Sequence, residues 1–443
     1  MLSDEHIPVL VVGAGPAGLV AAITLARAGV ETLVVEKRAA PSPLPRATGV
    51  STATMELLRS WGLEEPARAA AMDVEWRALA TPTLADAASG IPIEVGFPSR
   101  EQSVVVSPSA PACLPQDELE RILQDHLATL PAARLERGVE IVVVASRDDG
   151  VTARTRDGRT LRARYLIAAD GIRSTVRGAL GIPTHGPGHV GRSVGILFRA
   201  PVWELVGEHR HVIYFVGEDG MKAALPVGLP DRWMIGLGDR EPADVVDEVR
   251  QVVGVPDLEP RIENVAAITY GVELAERFRE RNAFLVGDAA HRLSPRGATG
   301  MNTAIRDGYD LGWKLAWVLR GWASAELLDS YEAERRPVAE HNGVRGADPN
   351  GSVRGVDEEL RVDLGGRITH AWLPGEAGRV STLDLLGDGF TLFTGPGEAP
   401  GRPARDVTPP VTVRRLDAIT ARALGILGNA SLLVRPDGVP AAA

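Results

Sequence analysis

The feature that most constrains the fold of this chain is a strand, a glycine loop and a helix placed in succession near its start. Residues 7–12 are an apolar run rich in Val and Ile, which is typical of a strand buried on both faces of a parallel sheet. The segment 13–18 follows with G-x-G-x-x-G spacing, and residues 19–28 are good helix formers that end before Gly29. This order predicts a Rossmann-type nucleotide-binding unit.

Each glycine of the loop has its own geometric task. Gly13 makes the tight turn, Gly15 lets a pyrophosphate approach the backbone, and Gly18 lets the helix pack on the strand. A second predicted strand, residues 32–35, brings Glu36 to the site, where its carboxylate would accept hydrogen bonds from the adenosine ribose. This motif alone fits FAD and NAD equally well. The predicted nucleotide contacts here are Gly13, Gly15, Pro16, Ala17, Gly18, Glu36 and Lys37.

A second G-x-G-x-x-G match, at residues 186–191, has the wrong context. It follows a proline-containing loop and precedes the strand-like segment 193–198, which is the reverse of the order that a phosphate loop requires. We therefore predict no second dinucleotide fold for a stably bound nicotinamide.

The composition is that of an ordinary globular protein. With 443 residues, 44% of them apolar and 24% charged, we expect two or three domains. The net charge of −10 disfavours a nucleic-acid partner. The single cysteine, Cys113, excludes an intrachain disulfide, a CxxC redox pair and a thiolate metal site. We predict no metal site, so redox chemistry requires a cofactor.

The N-terminus is acidic where a signal peptide is basic. The sequence also contains no run of the roughly 18 apolar residues that a membrane-spanning helix needs. We therefore expect a cytoplasmic protein without a membrane partner, acting as a monomer or a homodimer.

Two later motifs repeat the pattern of a strand that ends in an acidic turn. Residues 165–169 predict a buried strand ending at Asp170, and residues 283–286 predict another, followed by Gly-Asp288-Ala-Ala-His291. A glycine-punctuated loop then leads into a long predicted helix, residues 303–320.

With these motifs, the sequence resembles the class A flavoprotein aromatic hydroxylases, the family of p-hydroxybenzoate hydroxylase, and especially the branch that oxygenates aromatic polyketides in actinobacteria. The resemblance covers residues 7–345 and includes the runs at 46–50, 55–62, 115–117 and 328–337. It implies an α/β fold with a Rossmann-type FAD-binding domain, an antiparallel-sheet substrate domain and a small, shortened thioredoxin-like C-terminal domain.

The resemblance also assigns roles around FAD. Asp288 would hold the ribityl hydroxyls, Asp170 would mark the turn beside the pyrophosphate, Arg46 would contact phosphate oxygens, and Gln116 would lie near the ribityl chain. The alternatives are a turn or N-cap role for Asp288 and a plain surface role for Arg46. His291 could be taken for a base, but a packed or capping histidine is the simpler interpretation, and we assign it no catalytic role.

The resemblance places the isoalloxazine at the start of the long helix. Backbone groups of Gly300, Met301 and Asn302 would face N1, C2=O and N3, where the positive end of the helix stabilises negative charge that develops when the flavin is reduced. Pro295 lies in the loop that supports the flavin–oxygen adduct in relatives. The alternative for Pro295 is a simple helix-breaking role.

In the family that this chain resembles, NADPH or NADH binds transiently and reduces FAD. Reduced flavin then captures O2 as a C4a-hydroperoxide, which oxygenates a small aromatic substrate held away from water. For this chain the resemblance implies hydroxylation of an aromatic substrate, a polycyclic phenolic polyketide of secondary metabolism such as antibiotic biosynthesis. We can name no acid or base for the reaction.

Alternating apolar runs between residues 190 and 239 predict an antiparallel sheet that would carry the substrate pocket. The candidate pocket residues are its aromatic side chains, Phe198, Tyr214, Phe215 and Trp233. The alternative is that they belong to the core of the sheet domain.

The resemblance divides the chain into interleaved domains. The FAD-binding domain takes residues 1–75, 104–182 and 276–345, and the substrate domain takes residues 76–103 and 183–275. Residues 346–443 form the C-terminal unit, which has no dithiol and so cannot be a redox partner.

Other functions remain open on this scaffold. A Baeyer–Villiger monooxygenase uses the same flavin chemistry on a carbonyl substrate. A flavin dehydrogenase or reductase would not activate O2, and a flavoprotein could bind its ligand without turnover. The Trp-x-Trp-x-Ile-Pro run of flavin-dependent halogenases is absent from the sequence.

Overall fold

The computed structural model describes residues 6–217, 222–376, 378–397 and 408–441. The strands in these ranges are β1 (His6–Val12), β2 (Thr32–Glu36), β3 (Gly49–Val50), β4 (Glu75–Thr81), β5 (Ile91–Glu94), β6 (Ala112–Cys113), β7 (Ala133–Arg137), β8 (Ile141–Arg147), β9 (Gly150–Thr155), β10 (Thr160–Ala168), β11 (Thr184–Arg199), β12 (His211–Val216), β13 (Lys222–Gly228), β14 (Arg232–Gly236), β15 (Arg261–Ala275), β16 (Arg279–Glu280), β17 (Ala283–Leu285), β18 (His291–Arg292), β19 (Trp372–Gly375), β20 (Gly378–Ser381), β21 (Phe390–Thr394), β22 (Val411–Arg415) and β23 (Ser431–Val434).

The α-helices in the same ranges are α1 (Pro16–Arg27), α2 (Thr52–Ser60), α3 (Glu64–Ala70), α4 (Arg100–Val106), α5 (Gln116–Ala128), α6 (Thr175–Ala179), α7 (Val202–Val206), α8 (Val245–Val253), α9 (Gly300–Leu319), α10 (Asp329–Ala347), α11 (Val356–Leu364) and α12 (Ala418–Ala423). Short 3-10 helices lie at Leu84–Ser89, Gly287–Ala289, Ala325–Leu328 and Thr382–Leu385.

The first sheet is built around five parallel strands in the order β17-β10-β1-β2-β7. The glycine loop follows β1 at the centre of this sheet, and the acidic turns follow β10 and β17. Because the carboxyl ends of parallel strands meet at one edge, Gly13, Glu36, Asp170 and Asp288 all lie along that edge. The topology thus gathers the predicted nucleotide contacts in one crevice.

The second sheet has the strand order β18-β15-β11-β14-β13-β12-β4-β5. Its strands pair antiparallel except for β4 and β12, which run parallel. The second glycine match, residues 186–191, lies inside β11, with register shifts beside Gly188 and Gly191. It extends a strand and does not open a helix.

The C-terminal unit has its own three-stranded sheet, in the order β22-β21-β23, and a small core around Phe393. It is attached to the rest of the protein by polar contacts. Arg367 forms an ion pair with Glu56 of α2, and the Tyr309 hydroxyl of α9 donates to the Pro436 carbonyl. None of the helices in the described ranges has the length and apolarity to cross a membrane.

Candidate active site

Two of the three motif glycines in the loop are required by close packing within the protein, and the third, Gly15, is not. A Cβ on Gly13 would lie 2.2 Å from the Ala169 carbonyl oxygen, and a Cβ on Gly18 would lie 2.0 Å from the Gly13 carbonyl oxygen. A Cβ on Gly15 would meet no atom of the described residues within 4 Å. Gly15 therefore borders open space, as expected where a pyrophosphate approaches the backbone.

The N-terminus of α1 faces the same space. Pro16 occupies the first turn, Ala17 is buried, and no side chain among the described residues caps the helix. The backbone N–H groups of this first turn are thus available to an anion, and the helix dipole favours negative charge there.

Glu36 is held beside the loop by the backbone. Its Oε2 accepts from the Ala14 N–H at 2.9 Å, and its Oε1 accepts from the Arg38 N–H at 2.9 Å. Each carboxylate oxygen keeps a further acceptor position for a ribose hydroxyl. Lys37, the next residue, is exposed at the same edge.

Asp170 has partners within its own segment. Its carboxylate accepts from the Ser174 hydroxyl at 2.5 Å and from the Val176 N–H at 3.1 Å. It therefore stabilises the start of α6, while its backbone nitrogen lies against Gly13. Its position beside a pyrophosphate stays a prediction.

Arg46, Gln116 and Asp288 share one electrostatic neighbourhood. Asp288 keeps contact with solvent, but the protein atoms around it displace part of its hydration, which raises the pKa of its carboxyl against the opposing effect of His291, Arg46 and Arg292. Burial likewise raises the pKa of Glu120, against hydrogen bonding from Gln116 and the charge of Arg46. The Gln116 amide donates to Glu120 Oε1 at 2.7 Å. Glu120 lies one helical turn after Gln116 and was not among the residues predicted from the sequence.

The side chain of Asn302 joins the start of α9 to the segment 49–54. Its Oδ1 accepts from the Ser51 N–H and from the Thr54 hydroxyl, each at 2.9 Å, and its Nδ2 donates to the Gly49 carbonyl at 2.8 Å. Because the side chain is used in this way, only backbone groups of Asn302 are available to a ligand.

The N-terminus of α9 is open in the same sense as that of α1. No side chain among the described residues caps the helix at Gly300, and Met301 is buried in the core. The helix packs closely on α1, since a Cβ on Gly308 would lie 2.3 Å from the Ala17 carbonyl oxygen. The two open helix starts are thus parts of one packed unit, and their N–H groups suit the pyrophosphate and the N1–C2=O edge of FAD.

The loop before α9 is a tight turn. The Pro295 carbonyl accepts from the Ala298 N–H at 3.0 Å, and Ala298 has a positive φ of 53°. Pro295 itself is exposed. The Arg296 guanidinium lies 3.6 Å from where a Cβ of Gly191 would be, so this loop faces β11 of the second sheet.

A small, partly open cavity adjoins the other side of this loop. It lies between the start of α9 and the helices α10 and α11, and Phe97, Ala298, Asn302, Arg345 and Glu359 are among its lining residues. Phe97 stacks obliquely on Trp76, with ring centroids 4.7 Å apart. The cavity therefore has one apolar aromatic wall and one charged wall.

One face of the second sheet packs against other parts of the protein, and three of the predicted pocket residues lie on that face. Phe198, Tyr214 and Trp233 are each 0% exposed and belong to the core cluster that packs against α8 and residues 84–89. Trp233 packs on Trp203, with ring centroids 4.8 Å apart. The expectation that these three line the pocket is therefore corrected, since they are core residues.

The opposite face of the sheet is the one that meets the loop at 295–298, where Arg296 lies against Gly191. Successive strand side chains point to opposite faces, so Phe215 and Met234 lie opposite their neighbours Tyr214 and Trp233. A Cβ on Gly195 would lie 3.3 Å from Ile268 Cδ1 and 3.9 Å from Met234 Sδ. Phe215 and Met234 are half-buried, and Ile268 is 41% exposed. Phe215 thus stays a candidate, and strand alternation could have found Met234 and Ile268.

His291 is a packed residue. It is 1% exposed, and its Nε2 lies 2.5 Å from Asp307 Oδ2 inside the FAD-binding part of the fold. It does not reach the cleft between the loop at 295–298 and the sheet.

The comparisons with known proteins agree with this geometry. Residues 6–344 match the family described as FAD binding domain, and residues 362–443 match the family described as aromatic-ring hydroxylase, C-terminal. The chain belongs to the FAD-dependent aromatic-ring hydroxylases. This confirms the resemblance and the α/β fold class inferred from the sequence.

Two curated relatives have named activities. The tetracenomycin A2 monooxygenase-dioxygenase of Streptomyces glaucescens is 34% identical to this chain, over 99% of the chain and 93% of its own length. The aklavinone 12-hydroxylase of Streptomyces peucetius is 33% identical, over 91% of the chain and 94% of its own length. The protein is therefore an FAD-dependent monooxygenase.

Solved structures show the same fold. Aklavinone-11 hydroxylase, in a ternary complex with FAD and aklavinone, has a TM-score of 0.85 and 30% identity, covering 99% of this chain and 96% of its own. The substrate-free rebeccamycin biosynthetic enzyme RebC has a TM-score of 0.83 and 29% identity, covering 99% and 96%.

Proposed function

We propose that this protein consumes NAD(P)H and O2 to hydroxylate a planar, polycyclic phenolic polyketide in secondary metabolism. The observation that carries the proposal is the cleft between the loop at 295–298 and the second sheet. The face of the sheet that borders this cleft carries Phe215, Met234 and Ile268, and we call it the inner face. That face presents the half-buried side chains of Phe215 and Met234 and the exposed side chain of Ile268, and the loop approaches it where Arg296 lies against Gly191. An apolar surface of this kind suits a flat aromatic ligand better than a polar one.

We place FAD along the edge of the first sheet, with the contacts inferred from the sequence. Gly13, Gly15, Gly18 and Glu36 would hold the adenosine and pyrophosphate, and Asp170 would flank them. Arg46, Gln116 and Asp288 would meet the phosphates and the ribityl chain, and Pro295 with residues 300–302 would meet the isoalloxazine. When bound, FAD takes hydride from NAD(P)H and delivers one oxygen atom of O2 to the substrate.

The protein's own residues would orient the substrate and exclude water. Phe215, Met234 and Ile268 would pack on the substrate ring, and Phe97 would close the cleft beside the cavity behind the loop. Water exclusion matters because reactive oxygen adducts decay when solvent reaches them. The interleaved domain boundaries inferred from the sequence and a cytoplasmic location are part of the same proposal.

The test is turnover under 18O2 with NADPH, or with NADH, and a panel of polycyclic phenols, with products identified by mass spectrometry. We expect one 18O atom on a ring carbon of at least one phenol. Heat-denatured protein with added FAD is the control. A lactone product would replace hydroxylation by Baeyer–Villiger oxygenation, and NAD(P)H oxidation that yields only H2O2 across the panel would count against the proposed substrate class.

A further inference from the structure

A buried charged cluster lies under the proposed flavin site. Asp307 of α9 is fully buried, and its Oδ2 lies 2.5 Å from His291 Nε2, while its Oδ1 accepts from Arg335 Nε of α10 at 2.8 Å. Arg335 also donates to the Thr303 carbonyl at 3.4 Å. We call Asp307, His291 and Arg335 the α9 cluster.

The α9 cluster also holds the turn that presents Asp288. Asp307 Oδ2 accepts from the Gly287 N–H at 3.1 Å, and Gly287 has a φ of +57°. A Cβ on Gly287 would lie 2.9 Å from Ala304 Cβ, so the turn rests directly on α9. One carboxylate therefore sets the position of Asp288 relative to the start of the same helix.

The charge of Asp307 matters as much as its bonds. Burial raises the pKa of its carboxyl, but His291 and Arg335 outweigh burial and hold that pKa below its usual range. Asp307 lies seven residues after Gly300, which is about 10 Å along the helix axis. An unbalanced negative charge there would oppose the positive end of α9, and the guanidinium of Arg335 offsets it.

We propose that Asp307 and Arg335 are positioning residues for the flavin: Asp307 fixes the Asp288 turn to α9, and Arg335 balances its charge so that the helix start keeps its positive potential. The inference rests on the proposed placement of FAD between Asp288 and residues 300–302. It adds a role for two residues that do not touch the ligand.

The test is the midpoint potential and the affinity of bound FAD in Asp307→Asn, in Arg335→Gln and in the double variant. Asp307→Asn removes a negative charge, but its amide oxygen can still accept from Gly287, so we expect a raised potential with FAD affinity within about threefold of the unaltered protein. Arg335→Gln removes the permanently charged partner of Asp307 and leaves His291 as its neighbour, so we expect a lowered potential. The double variant is neutral again, and we expect its potential to return close to the starting value.

Arg336→Gln is the matched control. Arg336 is the next residue on α10 and carries the same charge, but it pairs with Glu332 and donates to the Ala275 and Glu276 carbonyls instead of to Asp307. Loosened packing would shift the potential of both single variants in the same direction, whereas charge balance shifts them in opposite directions. Shifts of the same sign, or shifts no larger than that of Arg336→Gln, would overturn the proposal.

Breaking one partner of a buried pair can prevent folding, and the single variant that does fold then decides. A raised potential in Asp307→Asn or a lowered one in Arg335→Gln, with the double variant near the unaltered protein, supports charge balance. An unchanged or reversed shift in the single variant, or a displaced potential in the double variant, overturns it. If the unaltered protein itself binds no FAD, the proposed function fails at an earlier step.

Discussion

The nucleotide edge of the first sheet and the inner face of the second sheet make an instructive contrast. At the nucleotide edge, the residues singled out from sequence meet in one crevice, because they are glycines and turn residues at the carboxyl ends of parallel strands. In the second sheet, three of the four aromatic residues singled out from sequence are buried on the far face.

The difference lies in what each site is made of. A phosphate site is built from backbone, so it leaves a trace in the spacing of glycines and caps. A pocket on a sheet is built from whichever side chains face inward, and the face depends on register, which one residue can reverse. Aromatic residues therefore help to identify a strand, but they do not show which of its side chains face the pocket and which face the core.

The sharpest test of this contrast uses two adjacent residues of β14. Trp233→Ala should destabilise the protein by about 3–5 kcal/mol, because it empties a fully buried site beside Trp203 and Tyr214. Met234→Ala should change stability far less and should raise the KM for the aromatic substrate, because Met234 faces the cleft. Urea unfolding and steady-state kinetics measure the two effects. If Trp233→Ala left stability intact and raised KM alone, the assignment of core face and cleft face would have to be reversed.

The two glycines of the first loop offer a second matched pair. Gly13→Ala should cost about 1–3 kcal/mol of apoprotein stability, because φ is +108° and the added Cβ would meet the Ala169 carbonyl. Gly15→Ala should cost the apoprotein less, under about 1 kcal/mol for a weaker N-cap of α1, and should weaken FAD binding by about tenfold or more, because its Cβ points only into the proposed phosphate space. Thermal unfolding and flavin titration separate the two. Tight FAD binding by Gly15→Ala would show that the pyrophosphate does not lie against Gly15.

The sequence was informative where local chemistry decides the structure. The glycine loop and the turn at Asp288 lie where their residue types predict, and the long helix begins at Gly300, three residues before the predicted start. Long-range pairings were beyond such reasoning. The parallel pairing of β4 with β12 joins residues 135 positions apart, such as Ala78 and Ile213. The bonds of Asn302 to segment 49–54 likewise depend on the finished fold. Glu120 and Asp307 were missed because a lone carboxylate on a helix carries no spacing signal.

The C-terminal unit is a third region, which the resemblance describes as short and thioredoxin-like and which lacks a dithiol. It is attached to α9 and α10 through a partly buried set of charges. Lys314 is fully buried and contacts both Asp310, at 2.8 Å, and Glu334, at 3.2 Å. Glu334 in turn pairs with Arg435 of the C-terminal unit at 2.8 Å.

This attachment should depend on pH through Asp310. Burial raises the pKa of its carboxyl to about 6 from 3.8, against the opposing charge of Lys314. Between those two values the folded protein holds a proton that the unfolded chain has released, so stability rises as the pH falls from 7 towards 4. The contribution should be about 1 kcal/mol between pH 7 and pH 5. Urea unfolding at both pH values should show this gain in the unaltered protein and lose it in Asp310→Asn. An equal pH response in both proteins would mean that Asp310 is ionised throughout, and that Lys314 balances its charge completely.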